Sequence, residues 1–169
     1  MGIKQIAVQR FSVTSSKSFG DIVAAVDAAI GHPDMNLFRR DVTAAKTYAE
    51  LENIVRKAVG SSDLMEFTRF DLGEILRKEQ GTTAPRSLRL VAGNPLIMKQ
   101  MVKHLPDAGS YAPVTILIDE RPDGVHLSYD RMASLLAPYE SAEVLSVARE
   151  LDSKVETLLN RAANSSIVT

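Results

Sequence analysis

Five polar side chains stand where this chain could do chemistry: Asp71, Asn94, Glu120, Tyr129 and Asp130. Asp71 and Asn94 fall at expected helix starts, Glu120 and Asp130 at expected strand ends. Where strand ends converge, such groups line one pocket at the edge of a sheet. Carboxylates and a phenol gathered there would bind a small polar molecule or act on it as acid or base. The same residues have plainer uses. Asp71 and Asn94 are natural helix caps, Glu120 rims a hairpin, and Tyr129 suits a core position. The sharpest local signal is Ala92-Gly93-Asn94-Pro95, between the apolar run 88–91 and the amphipathic run 96–105. Gly93 supplies backbone freedom, Asn94 caps, and Pro95 fits the first helical position. Turns of this kind aim backbone N–H groups at a place where an anion can sit. This one lacks the Lys-Ser/Thr of a phosphate loop, and Pro95 removes a donor, so it reads as a structural corner.

Other chemistries find no support in the residue types. The chain contains no Cys, which excludes disulfides, thiolate metal sites and a Cys nucleophile. His32, His104 and His126 are scattered through the sequence, with no HExxH pattern and no calcium loop, so neither a metal nor a cofactor is expected. No G-x-S-x-G elbow occurs. Lys plus Arg is 20 against 21 Asp plus Glu, and aromatics are 5%, which argues against a nucleic-acid partner. No apolar run reaches membrane-spanning length, and residues 1–10 lack a signal core, so a cytoplasmic protein without a membrane partner is expected.

The elements that must position these groups follow from periodicity. Alternation predicts a strand over 3–14, and Ser18 caps a helix whose stripe is Phe19, Ile22, Val23, Val26 and Ile30. A helix spans 47–59, with Thr47 and Glu50 at capping-box spacing. A strand follows over 64–70, then a short helix over 71–80 capped by Asp71. Ser87 to Ala92 is a strand, and Pro95 to His104 a helix. Val114 to Asp119 and Val125 to Tyr129 flank the turn Arg121-Pro122-Asp123-Gly124 as a hairpin. A helix from Arg131 is interrupted at Pro138. Over 140–163, Val144, Ala148, Leu151, Val155, Leu158 and Ala162 recur at steps of four and three, a heptad that would serve association or packing on the chain's own sheet.

The order Gly93-Asn94-Pro95, helix, Pro106, Ala112-Pro113-Val114, Glu120, Gly124 and Leu127-Ser128-Tyr129-Asp130 resembles the bacterial "domain of unknown function 302" family. The resemblance covers residues 1–139 and is sharpest from 87 to 131. It implies a small two-layer α/β domain that often self-associates, and no assigned activity. Many members carry an Asp-His pair before the Gly-Asn-Pro strand. Here Asp71-Leu72 stands in that place, so a role resting on the His is missing. The helix over 47–59 and the C-terminal helix look like additions to the family's core.

The expected fold is therefore an α+β two-layer sandwich: a sheet of about five strands, helices mainly on one face, and a long C-terminal helix. The expected domain is 1–139, followed by an accessory helix over 140–163 and a frayed tail over 164–169. The expected function is a self-associating module, a homodimer, that binds a small molecule or a partner. The alternative is an enzyme using carboxylates near the Gly-Asn-Pro turn.

Overall fold

The structure is a computed structural model and describes residues 2–164. Beyond Asn164 the expected frayed tail lies outside the described residues. Five strands form one antiparallel sheet in the order β1-β5-β4-β3-β2. They are β1 (Arg10–Ser15), β2 (Met65–Asp71), β3 (Ser87–Gly93), β4 (Val114–Arg121) and β5 (Gly124–Asp130). The helices are α1 (Phe19–Ala29), α2 (Met35–Ala44), α3 (Tyr48–Ala58), α4 (Leu72–Gln80), α5 (Pro95–Val102), α6 (Met132–Leu136) and α7 (Ala142–Asn164). Short 3-10 turns cover Pro106–Ser110 and Ala137–Tyr139. The peptide bond Ala112–Pro113 is cis.

Because strand side chains alternate, one face of the sheet is apolar. Leu88, Leu90 and Ala92 of β3, Ile116 and Ile118 of β4, and Leu127 and Tyr129 of β5 are buried there under α1, α5 and α7. All six heptad residues of α7, from Val144 to Ala162, belong to this core, each no more than 4% exposed. The stripe is thus used within the chain, and α7 has no apolar seam left for a coiled-coil partner.

Two elements differ from the expectation. The predicted strand over 3–14 pairs only from Arg10, because its partner β5 ends at Asp130 opposite Arg10. Ahead of it, the main chain of Gln9 is held by α6: Arg131 N–H donates to the Gln9 carbonyl at 2.9 Å, and Gln9 N–H to Ser134 Oγ at 3.0 Å. Helix α2 was not expected. None of its residues is fully buried; Met35, Phe38 and Val42 recur at steps of three and four as a short, half-buried stripe in an otherwise polar helix. Its start is marked by Asp34, whose side chain accepts from Asn36 and Leu37 N–H.

A β-bulge at Phe67 decides the geometry at the sheet's β2 edge. The register shifts between Glu66 and Thr68, so Glu66 stands opposite Ala92 and Arg69 opposite Leu90. In a regular strand, residues three apart point to opposite faces; the bulge puts both on the helix-covered face. There the Arg69 guanidinium pairs with Glu66 and with Asp27 of α1.

Candidate functional site

The antiparallel order separates the five candidate residues. β2 and β4 end, and β3 begins, at one end of the sheet; Asp71, Arg86 and Glu120 gather there. Asn94, Tyr129 and Asp130 lie toward the other end, about 20 Å away over a seven-residue strand. One pocket holding all five does not form.

The first end carries a cleft of about 930 Å³, on the helix-covered side beside the start of α1. Its floor is apolar, from Phe19, Ala84 and Leu88. Its rim is charged with both signs: Arg69, Arg77, Arg86 and Arg121 against Asp71 and Glu120. Glu120 takes two bonds from the Arg86 guanidinium, at 2.6 and 3.0 Å, and one from the Arg86 backbone N–H at 2.9 Å. The same guanidinium lies over the Phe19 ring, 4.9 Å from its centroid. Asp71 caps α4 by accepting from Glu74 N–H at 2.9 Å, while its other oxygen accepts from Arg77 at 2.7 Å. Gly73 lets α4 lie this close to β3, since a Cβ there would stand 2.9 Å from Ser87 N.

These bonds set the charge state of the cleft. The hydrogen bond from Arg77 holds the Asp71 carboxyl below the usual carboxylate range, and Arg86 does the same for Glu120. Neither has a proton to give at neutral pH, which removes both from the role of general acid. A carboxylate with a lowered folded-state pKa stabilises the fold above its unfolded-state pKa and loses that contribution as pH falls through the folded value. Stability is therefore expected to drop as pH is lowered below about 5, in the window where carboxylates protonate. Urea unfolding across this range checks it: Glu120→Gln should show a shallower fall than the unaltered chain. An equal fall in both would remove Glu120 from the account.

The remaining candidates have structural occupations. Asn94 Oδ1 caps α5 by accepting from Leu96 N–H at 2.9 Å, and its Nδ2 donates to Asp63 Oδ1 and to the Asp63 carbonyl, both at 3.0 Å. The turn packs against Pro113, whose Cβ would lie 3.2 Å from a Cβ at position 93. The small cavity beside it is lined by Phe67, Met98, Met101 and Leu151 and is an apolar corner, with no cradle for an anion. Asp130 forms a two-point pair with Arg10 at 2.7 and 2.8 Å. Tyr129 is buried, and its hydroxyl donates to Asp152 at 2.5 Å. Burial and that bond raise its pKa far above the ordinary phenol value, so Tyr129 is not a base.

Asp152 escaped the sequence reading. It is completely buried and accepts from Met132 N–H at 2.7 Å and Ala133 N–H at 3.1 Å as well as from Tyr129. It caps α6 from another helix, because Arg131 at the cap position supplies no side-chain bond. Its signal was an acid four residues after Ala148 and three before Val155, on the apolar stripe itself.

Three ligand-type side chains that the sequence leaves scattered also meet. Carboxylate or ring atoms of Asp27, His32 and Glu66 lie within 4.8 Å of one another. The cationic place among them is taken by Arg69, which bonds both carboxylates. His32 Nε2 lies 3.0 Å from the Asp27 carbonyl.

Comparison with known proteins fits this architecture. The family profile described as "Domain of unknown function DUF302" matches residues 40–162. The chain belongs to the DUF302 family. The matched span includes α3 and most of α7. The crystal structure of an uncharacterized conserved DUF302 protein from Bacillus stearothermophilus superposes with a TM-score of 0.62 at 10% identity, covering 90% of this chain and 97% of that one. That likeness is one of fold. No curated protein matches the chain. Among the described residues, no helix of this DUF302 domain is long and apolar enough to cross a membrane.

Proposed function

We propose that this DUF302 chain is a small-ligand-binding module whose site is the cleft rimmed by Arg86, Glu120, Asp71 and Arg77. The observation that carries this reading is a cleft of about 930 Å³ with an apolar floor and exposed charges of both signs. Its volume suits a small molecule. Its paired rim suits one that itself carries both charges: a carboxylate for the arginines and an ammonium for Asp71 or Glu120. Both carboxylates of the cleft are held ionised by arginines, which favours binding over acid catalysis.

A thermal-shift titration with free amino acids, their amides and their des-amino acids tests it. A ligand that binds only the folded state raises the melting temperature with concentration. Zwitterions are expected to raise it more than either singly charged set, and Arg86→Ala should abolish the rise. No rise with any of the three sets, or a rise indifferent to Arg86, sinks the reading.

Self-association is the second part of the proposal, and α7 does not supply its surface. Phe70 and Ile75, with Leu72 beside them, are the support: large apolar side chains exposed by 48%, 71% and 38% at the join of β2 and α4. Light scattering at tens of micromolar is expected to give a dimer that Ile75→Glu converts to a monomer. A monomer before substitution would remove this part and leave the cleft reading intact.

A further inference from the structure

The face of the sheet turned away from α1, α5 and α7 carries a second concavity. One cross-strand row spans all five strands there: Ser12, Ser128, Leu117, Arg89 and Phe70. A groove of about 430 Å³ lies over the middle of this row, with Leu72, Tyr111 and Leu135 among its walls.

Two polar groups that face the groove have no hydrogen-bond or ion-pair partner among the described residues. Ser128 lines the groove, and its hydroxyl, without a hydrogen-bond partner among the described residues, opens to the groove. Arg89 has no carboxylate partner among the described residues, and its guanidinium lies 5.9 Å from the centroid of the Phe70 ring. Nearby arginines differ: Arg10 is held by Asp130, Arg77 by Asp71 and Arg86 by Glu120. Between Ser128 and Arg89 sits Leu117, which keeps the floor apolar. The two groups stand two strands apart, about 10 Å between Cα atoms.

We infer that this groove is a binding site for a small organic acid with a flat apolar middle and a hydroxyl at its far end, such as a phenolic carboxylic acid. The carboxylate takes a charge-assisted pair from Arg89, the ring lies on Leu117, and the far hydroxyl meets Ser128. The site is on the opposite face from the Arg86–Glu120 cleft, so the two fail independently.

The test is NMR titration of the full chain carrying Ile75→Glu, which removes the proposed dimer contact beside the groove, with 4-hydroxyphenylacetate, and with phenylacetate and 4-hydroxyphenethyl alcohol as the analogues lacking one end. Saturable shifts are expected at the Thr115, Leu117 and Ser128 amides and at Arg89 Nε. Arg89→Gln should weaken binding of the acid about tenfold or more, a loss in keeping with a charge-assisted pair. Ser128→Ala should erase the preference for 4-hydroxyphenylacetate over phenylacetate. It should not lower the melting temperature, because no bond within the chain is lost. Three outcomes overturn the inference: no saturable shift; shifts confined to the residues of the Arg86–Glu120 cleft; or shifts at Ser128 and Leu117 that follow protein concentration alone, which would place a second copy on this face.

Discussion

Asp152→Ala is expected to lower the unfolding free energy by about 3–5 kcal/mol, the range for removing one partner of a buried charged network. The carboxylate is completely buried and gathers three donors, Tyr129 Oη and the N–H groups of Met132 and Ala133. Without it, the first turn of α6 loses its cap: the Tyr129 hydroxyl and Ala133 N–H lose their acceptor, at about 1–3 kcal/mol each before relaxation, and Met132 N–H keeps only its 3.1 Å bond to Tyr129 Oη. Arg131 adds to the charge balance: its Nε lies 3.9 Å from Asp152 and 2.8 Å from Glu156. Tyr129→Phe removes one donor and leaves Asp152 both backbone bonds, so its cost should be nearer 1 kcal/mol. Urea denaturation of the three proteins measures the order. A loss below about 1 kcal/mol for Asp152→Ala would show that this acid is not what holds α6 to α7.

Gly31→Ala should be comparably severe, at the upper end of overpacking costs, about 3 kcal/mol or more. A Cβ at this position would lie 1.9 Å from the Ala58 carbonyl oxygen. The obstacle is backbone at the end of α3, which no rotamer change can move aside. Gly60 faces the mirror problem, with the Ala29 carbonyl 2.3 Å from its Cβ position. That carbonyl already accepts from Ser62 N–H at 3.0 Å and Ser62 Oγ at 2.8 Å, so displacing it breaks both. The crossing is tied further by Gly31 and Gly60 N–H, which both donate to the Leu64 carbonyl at 2.9 Å. Gly20 in α1 is the control: the nearest atom to its Cβ position is 3.9 Å away. Gly20→Ala should stabilise by about 0.5–1 kcal/mol through helix propensity alone. Thermal melts followed by circular dichroism compare the three, and a Gly31→Ala melt as high as that of the unaltered chain would rule out the close crossing.

What could be read from residue order was whatever a few neighbours decide among themselves. Ser18, Asp71 and Asn94 each cap the helix expected of them, and Thr47 with Glu50 closes its capping box. The hairpin of β4 and β5 follows from the turn between two apolar runs. The alternation of β3 to β5 and the α7 stripe likewise reported which faces are apolar, because burial of one face imposes the period. Along α2, where burial is only partial, the stripe is short and the signal correspondingly weak.

Partners across long separations were another matter. Asp71 and Glu120 share a cleft while Asn94 stands at the far end of the sheet, because strand order and direction are set by which apolar faces can be covered together. The α7 stripe had two uses by sequence, and packing assigned it to the chain's own core. The bulge at Phe67, the Gly31–Gly60 crossing and the burial of Asp152 depend on contacts between segments distant in the chain. Sequence alone therefore determined most of the elements, their caps and the α+β class of this protein, with α2 and the start of β1 the exceptions. The tertiary structure alone decided which charges meet, since electrostatic and hydrogen-bond partners are selected by distance in space, and only the packed sheet and helices define that distance.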